Sequence, residues 1–175
     1  KLPASLFDRR RVGVDEMLRG WIPLIERLSD SNPELRVMFT ISPIRHLRDG
    51  AHENQLSKSV LFLFVDELCR MYPDRCIYFP SYEIVMDELR DYRFYDAGMT
   101  HPNEQAIMYI WERFSEACFS EETRTLNREW ERLEKALNHR PLTPDKEAFR
   151  DFTVQNLFKL KKIREKYSYF DLSKE

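Results

Sequence analysis

The sequence predicts an α/β fold built on parallel strands, with a helical hairpin added at its C-terminal end. Three observations carry this. Arg36–Ser42 and Cys76–Phe79 are short runs rich in β-branched and aromatic residues, with no helical period, and read as buried strands. Between them Leu61, Phe64, Val65 and Leu68 form one apolar stripe at helical spacing. After Phe119 the texture changes to charged, amphipathic segments. Strand, helix, strand in succession is a βαβ unit, whose two strands lie adjacent and parallel.

The elements follow in order. Val14, Met17, Leu18, Trp21, Ile25 and Leu28 recur at helical spacing and predict a helix over about 14–29, with a kink at Pro23 and an end at Asn32-Pro33. Pro33 and Pro43 bound the first strand. The segment from Pro43 to Leu56 reads as the longest loop, and Ser57 as the N-cap of the crossover helix, which stops at Tyr72-Pro73. Ser81 begins a short helix after the second strand. Pro102 suits a first helical position, and Ile107, Ile110, Trp111, Phe114 and Cys118 then share a face directed at the sheet. Ser120 caps an acidic first turn ahead of Leu126, Trp130, Leu133 and Leu137, and Asn138-His139-Arg140-Pro141 breaks that pattern. Thr143-Pro144-Asp145 starts a last helix carrying Phe149, Phe152, Leu160, Ile163 and Tyr167. The chain thus divides into an α/β part, 1–119, and a hairpin, 120–175.

Composition narrows the function. The 175 residues allow one domain with a sizeable core plus an appendage. With 33% charged and 42% apolar residues and a formal net charge of -2, the chain is neither a disordered acidic tail nor a polybasic nucleic-acid binder. The longest apolar stretch, Val60–Val65, is far short of the roughly 20 residues of a membrane helix, so no membrane partner is expected. Cys69, Cys76 and Cys118 lack C-x-x-C spacing and are odd in number, which fits a reducing, cytoplasmic setting. His46, His52 and these cysteines match no zinc spacing, and the four glycines form no phosphate loop, so neither a metal nor a cofactor is expected.

Ligands of open α/β sheets bind beyond the C-terminal ends of the strands, and Ser42–Asn54 follows such an end. Arg45 and Lys58 suit anionic substrate groups, Asn54 can donate a hydrogen bond, and His46 completes a candidate pocket. Read blandly, Arg45 is a solvated charge, His46 a surface ring and Asn54 a helix cap. His101, before Pro102 at a helix start, has a ring that can accept a proton in its neutral form; the bland alternative is a loop histidine. Ser81 lacks the Gly-x-Ser-x-Gly elbow of an exposed nucleophile and reads as structural.

Four stretches in this order and spacing resemble the GSCFA family: Phe39-Thr-Ile-Ser-Pro-Ile-Arg45, Asn54-Gln-Leu-Ser-Lys-Ser59, Tyr78-Phe-Pro-Ser-Tyr-Glu-Ile-Val85, and Arg93-Phe-Tyr95 with His101-Pro102. The resemblance covers about residues 14–119 and implies the late part of a flavodoxin-like, three-layer α/β/α fold similar to SGNH hydrolases, with the sheet only partly contained in this chain. It implies a hydrolase or acyl-transfer enzyme acting on an ester, such as an O-acyl group on a sugar or another small molecule, with His101 as general base and a serine outside this chain as nucleophile. Two departures stand out. The Asp of the family's Asp-x-x-His pair falls on Gly98, with Asp96 two residues earlier, and the Gly-Ser-Cys-Phe-Ala block is absent. The rival reading is a non-catalytic binding module on the same fold, whose terminal hairpin meets a partner or a second copy of the chain.

Overall fold

In the computed structural model, residues 2–3, 6–7, 10–139 and 146–167 are described. They form two compact units, one through Phe114 and one from Ser115 onward.

The first unit opens with helix α1, Val14–Ser31, which continues through Pro23. Proline there removes the N–H that would reach the carbonyl of Arg19 and sets its ring against that carbonyl. Strand β1, Val37–Phe39, pairs in parallel with β2, Cys76–Tyr78, in the register Val37↔Cys76, Met38↔Ile77, Phe39↔Tyr78. Helix α2, Ala51–Met71, connects them as the crossover. The α/β class and the adjacent parallel strands agree with the sequence reading. Among the described residues the sheet has two strands, each three residues long, and this is coarser than a three-layer fold.

Phe64, Val65 and Leu68 of α2 form the centre of the core, against Val14, Met17, Leu18, Trp21 and Ile22 of α1 and Phe39 and Tyr78 of the strands. Trp21 meets the ring of Phe39 edge-on at 5.3 Å. The alternating positions Met38 and Ile77 point the other way and are 37% and 40% exposed. The helices thus bury one face of the strand pair.

Three local expectations are corrected. Ser57 is not the N-cap of α2, which begins six residues earlier, after Gly50 at φ 81° and ψ 160°. The loop after β1 is therefore shorter than the sequence reading had it, and contains one turn of 3-10 helix, Leu47–Asp49. Pro102 is not the first residue of the next helix, α4, Glu104–Cys118. Asn103 caps α4 by accepting the Ala106 N–H on Oδ1 at 3.0 Å, and Pro102 instead forms an antiparallel bridge with Tyr95. Finally, Ile107 and Trp111 are exposed, whereas Ala106 is fully buried and Phe114 meets Phe79 edge-on at 5.1 Å. The inward stripe of α4 is thus rotated from the one predicted. Between β2 and α4 lies α3, one α-helical turn, Ser81–Glu83, that widens into a π-helical segment, Ile84–Leu89, and ends on Arg90 at φ 42°.

The second unit contains α5, Glu121–Leu137, and α6, Lys146–Lys166, packed through Leu126, Leu133 and Ile163 with Trp130, Leu160 and Tyr167 around them. Ser120 caps α5 by accepting the Thr123 N–H, as its position predicts. The start of the last helix at Thr143–Asp145 lies outside the described residues. Phe149 and Phe152 are 38% and 37% exposed, so the buried stripe of α6 is carried by Asn156, Leu160 and Ile163.

Candidate functional site

Beyond the C-terminal end of β1 the chain runs through Thr40, Ile41 and Ser42 before turning back into α2. Three side-chain bonds fix this segment. Ser81, at the start of α3, donates to the Ile41 carbonyl at 3.0 Å and shares a hydrogen bond with the Thr40 hydroxyl. Lys58, one α2 face inward, donates from Nζ to the Ser42 carbonyl at 2.5 Å. Asn54 accepts the His46 backbone N–H on Oδ1 at 3.0 Å. Ser81 is buried and engaged on both sides, so its hydroxyl holds β1 to α3 rather than standing open at the surface.

The result is a cavity of about 250 Å³ whose walls include Arg45, His46, Asn54 and Lys58, together with Tyr82 and Met86 from α3. The four binding candidates named from the sequence therefore share one cavity. Lys58 is only 4% exposed, and burial pushes its ammonium below the ordinary lysine value. Arg45 lies against two aromatic faces, its guanidinium carbon 5.7 Å from the Tyr92 ring centre and 5.3 Å from that of Tyr95. Its pKa is raised, first by hydrogen bonding to Tyr95. Tyr78, below this edge, donates to Glu83 at 2.8 Å; burial and that bond push its phenol upward.

His101 stands beside this cavity but is not one of its walls. Its segment is joined to the cavity through the backbone: the Arg45 N–H donates to the Thr100 carbonyl at 3.0 Å. Residues 94–103 form a tight reversal in which Asp96 N–H donates to the His101 carbonyl at 2.8 Å and Asn103 N–H to that of Phe94 at 2.8 Å. This pairing puts Asp96 directly across from His101. The Asp96 carboxylate lies 3.7 Å from His101 Nδ1, which also makes a 3.0 Å contact with the Thr100 hydroxyl. The imidazole is open, with 59% of its side chain exposed.

Gly98 lies beside this carboxylate: a Cβ there would stand 3.4 Å from Asp96 Oδ1, an ordinary contact distance. Sequence reasoning set Asp96 aside because its spacing differs from Asp-x-x-His. What brings it to the histidine is cross-strand pairing around the turn, visible in sequence only as an Asp and a His flanking a Gly-containing reversal. The same turn holds Met99 at φ 56°, an uncommon conformation for a residue with a side chain.

The family model of the GSCFA family matches residues 1–114, and that of the GSCFA domain protein, C-terminal domain, matches residues 130–175. The chain belongs to the GSCFA family. In this GSCFA chain the first match spans every residue of the cavity and of the His101 turn, and the second falls on α5 and α6. No curated protein and no solved structure matches it. Among the described residues, no helix is long and apolar enough to cross a membrane, and no cluster of three or more His, Cys, Asp or Glu could hold a metal ion.

Proposed function

We propose that this GSCFA chain is the late part of an SGNH-like three-layer α/β/α domain that hydrolyses or transfers the acyl group of an ester, with an O-acylated sugar as one substrate of that kind. The single observation that carries this reading is the turn that places an open imidazole 3.7 Å from a carboxylate, joined through Thr100 to the cavity beyond β1. In such chemistry a serine supplied by sequence outside residues 1–175 attacks the ester carbonyl. His101 takes the serine proton on Nε2 and returns it to the leaving alcohol. Asp96, facing Nδ1, orients the ring and stabilises the imidazolium that forms. A cytoplasmic setting is part of the reading, supported by the free thiols of Cys69, Cys76 and Cys118.

The test is turnover of a panel of acyl esters by the natural protein that contains this chain. His101→Ala should lower kcat/KM on the order of a thousandfold, the loss typical of a positioned general base. Asp96→Asn should lower kcat by a smaller factor, leave KM nearly unchanged and alter the pH profile. An unchanged rate in the His101 variant would sink the assignment. The second reading is a non-catalytic binding module on the same fold, which the 3.7 Å gap between the Asp96 carboxylate and His101 Nδ1, longer than a hydrogen bond, favours. Specific binding of an ester with no turnover, in protein that is fully folded, would establish that second reading.

A further inference from the structure

The cavity walls carry three basic side chains and no acidic one: Arg45, His46 and Lys58 all contribute, and no Asp or Glu lines it. Lys58 is the most telling of the three. A lysine that is 4% exposed is unusual, because an ammonium taken out of water is strongly disfavoured unless paired. Among the described residues its one hydrogen-bond partner is the Ser42 carbonyl, which uses one of three N–H donors. Among the described residues neither Lys58 nor Arg45 has a carboxylate partner. Lys58 thus has no counter-charge among the described residues, and Arg45, whose guanidinium carbon lies over the Tyr92 and Tyr95 rings, borders the same cavity.

The neighbouring groups are arranged to donate as well. Asn54 has its amide oxygen engaged by the His46 N–H, which leaves its NH2 group to donate. Arg45 is packed against Tyr92 and Tyr95, so part of the conformational freedom that a ligand would otherwise remove is already gone. The volume, about 250 Å³, lies at or below the lower end of cavities that enclose a whole drug-sized molecule. It suits a small anion, or one charged end of a larger molecule whose remainder extends outward.

We infer that this cavity is an oxyanion subsite, which binds a carboxylate or phosphate group through Lys58, Arg45 and the Asn54 amide. Resting on the hydrolase reading, the group is an end of the ester substrate itself, so the preferred substrates are anionic esters. Binding through such charge-assisted bonds orients the remainder of the substrate toward the His101 turn, which the Arg45–Thr100 backbone bond keeps in place.

The experiment is a titration of the chain with sodium phosphate and, separately, with sodium acetate at constant ionic strength, following backbone amide NMR shifts at Arg45, His46 and Asn54. Saturable shifts are expected with at least one anion. The one that binds more tightly identifies the class. Lys58→Met and Arg45→Gln should each weaken binding on the order of tenfold, the loss of one charge-assisted bond, while His101→Ala should leave it unchanged. Lys58→Met keeps an apolar chain of similar length in a buried place and should fold; Arg45→Gln, at a half-buried position, is the second variant. Shifts that never saturate with either anion, or variants that both bind as tightly as the unsubstituted chain, would overturn the subsite. Turnover of neutral esters without anion binding would overturn it and leave the hydrolase reading standing. Saturable, Lys58-dependent binding, with no ester turnover by the natural protein that contains this chain, would support the subsite and overturn the hydrolase reading.

Discussion

At Lys58 an ammonium group is held inside the protein with one carbonyl for a partner, and this has a consequence for stability that can be signed. Desolvation lowers its pKa in the folded chain below the usual 10.5. Between the lowered value and 10.5 the unfolded chain holds more protons than the folded one, so this residue makes stability rise with pH across that window. Below the window the penalty is present in full. Lys58→Met should therefore raise the thermal midpoint at neutral pH and flatten the rise in alkaline solution, as replacing buried charge with apolar volume often does. Melting curves at several pH values check this; a lower midpoint in the variant at every pH would contradict it. That Arg45, His46, Asn54 and Lys58 would come to one cavity was legible because chain order alone places them after the C-terminal end of a parallel strand. The approach of Asp96 to His101 was not, because the two meet across a turn rather than three residues apart along the chain.

Caps decide where the helices begin, and they show what a sequence hides. The start of α2 rests on the backbone of Gly50 at positive φ, a conformation that costs glycine little, with Ala51, His52 and Glu53 exposed in the first turn. No apolar stripe marks that turn and no side-chain cap precedes it, so Ser57, further along, looked like the boundary. At α4 a proline and an asparagine stand side by side, and the hydrogen bond from Ala106 decides for Asn103. That asparagine also donates from Nδ2 to the Arg93 carbonyl at 2.6 Å, which closes the reversal holding His101. Asn103→Ala should cost about 1 kcal/mol for the cap alone, and more with the second bond. Chemical denaturation measures it, and a loss below the error of the midpoint would show that the cap carries nothing. Strand β1 ends at Phe39 although the apolar run continues to Ile41, because beyond the Phe79 N–H bond to the Phe39 carbonyl Pro80 has no N–H to offer, the Phe79 and Pro80 carbonyls accept from Ser81 and Ile84, and the Ile41 carbonyl accepts the Ser81 hydroxyl.

The two units differ in how they are held. The first has aromatic and aliphatic side chains from two helices and both strands around Phe64, Val65 and Leu68. The second rests on Leu126, Leu133 and Ile163, and buries Asn156 with Nδ2 unpaired among the described residues, which costs about 1–3 kcal/mol. Amides of α5 and α6 should therefore exchange with deuterium faster than those of α2 under native conditions, as mass spectrometry of the intact chain can measure. Equal protection in both would refute this ranking. The hairpin and the βαβ unit were legible at this scale because each repeats its signal over several turns of helix. The three-layer arrangement implied by the resemblance is finer than the two-stranded sheet of the described residues, since a pair of three-residue strands says little about what flanks it. The wider turn at Ile84–Leu89 left no mark in the sequence, yet it borders the cavity through Met86. A π segment is an α-helix with a residue to spare. A chain shortened by one residue there could relax to ordinary α-helix and present Tyr82 and Met86 to the cavity at a different angle, while β1, β2 and α2 stayed as they are. Length, at that one point, is a dial by which such a fold can change what it selects without rebuilding its scaffold.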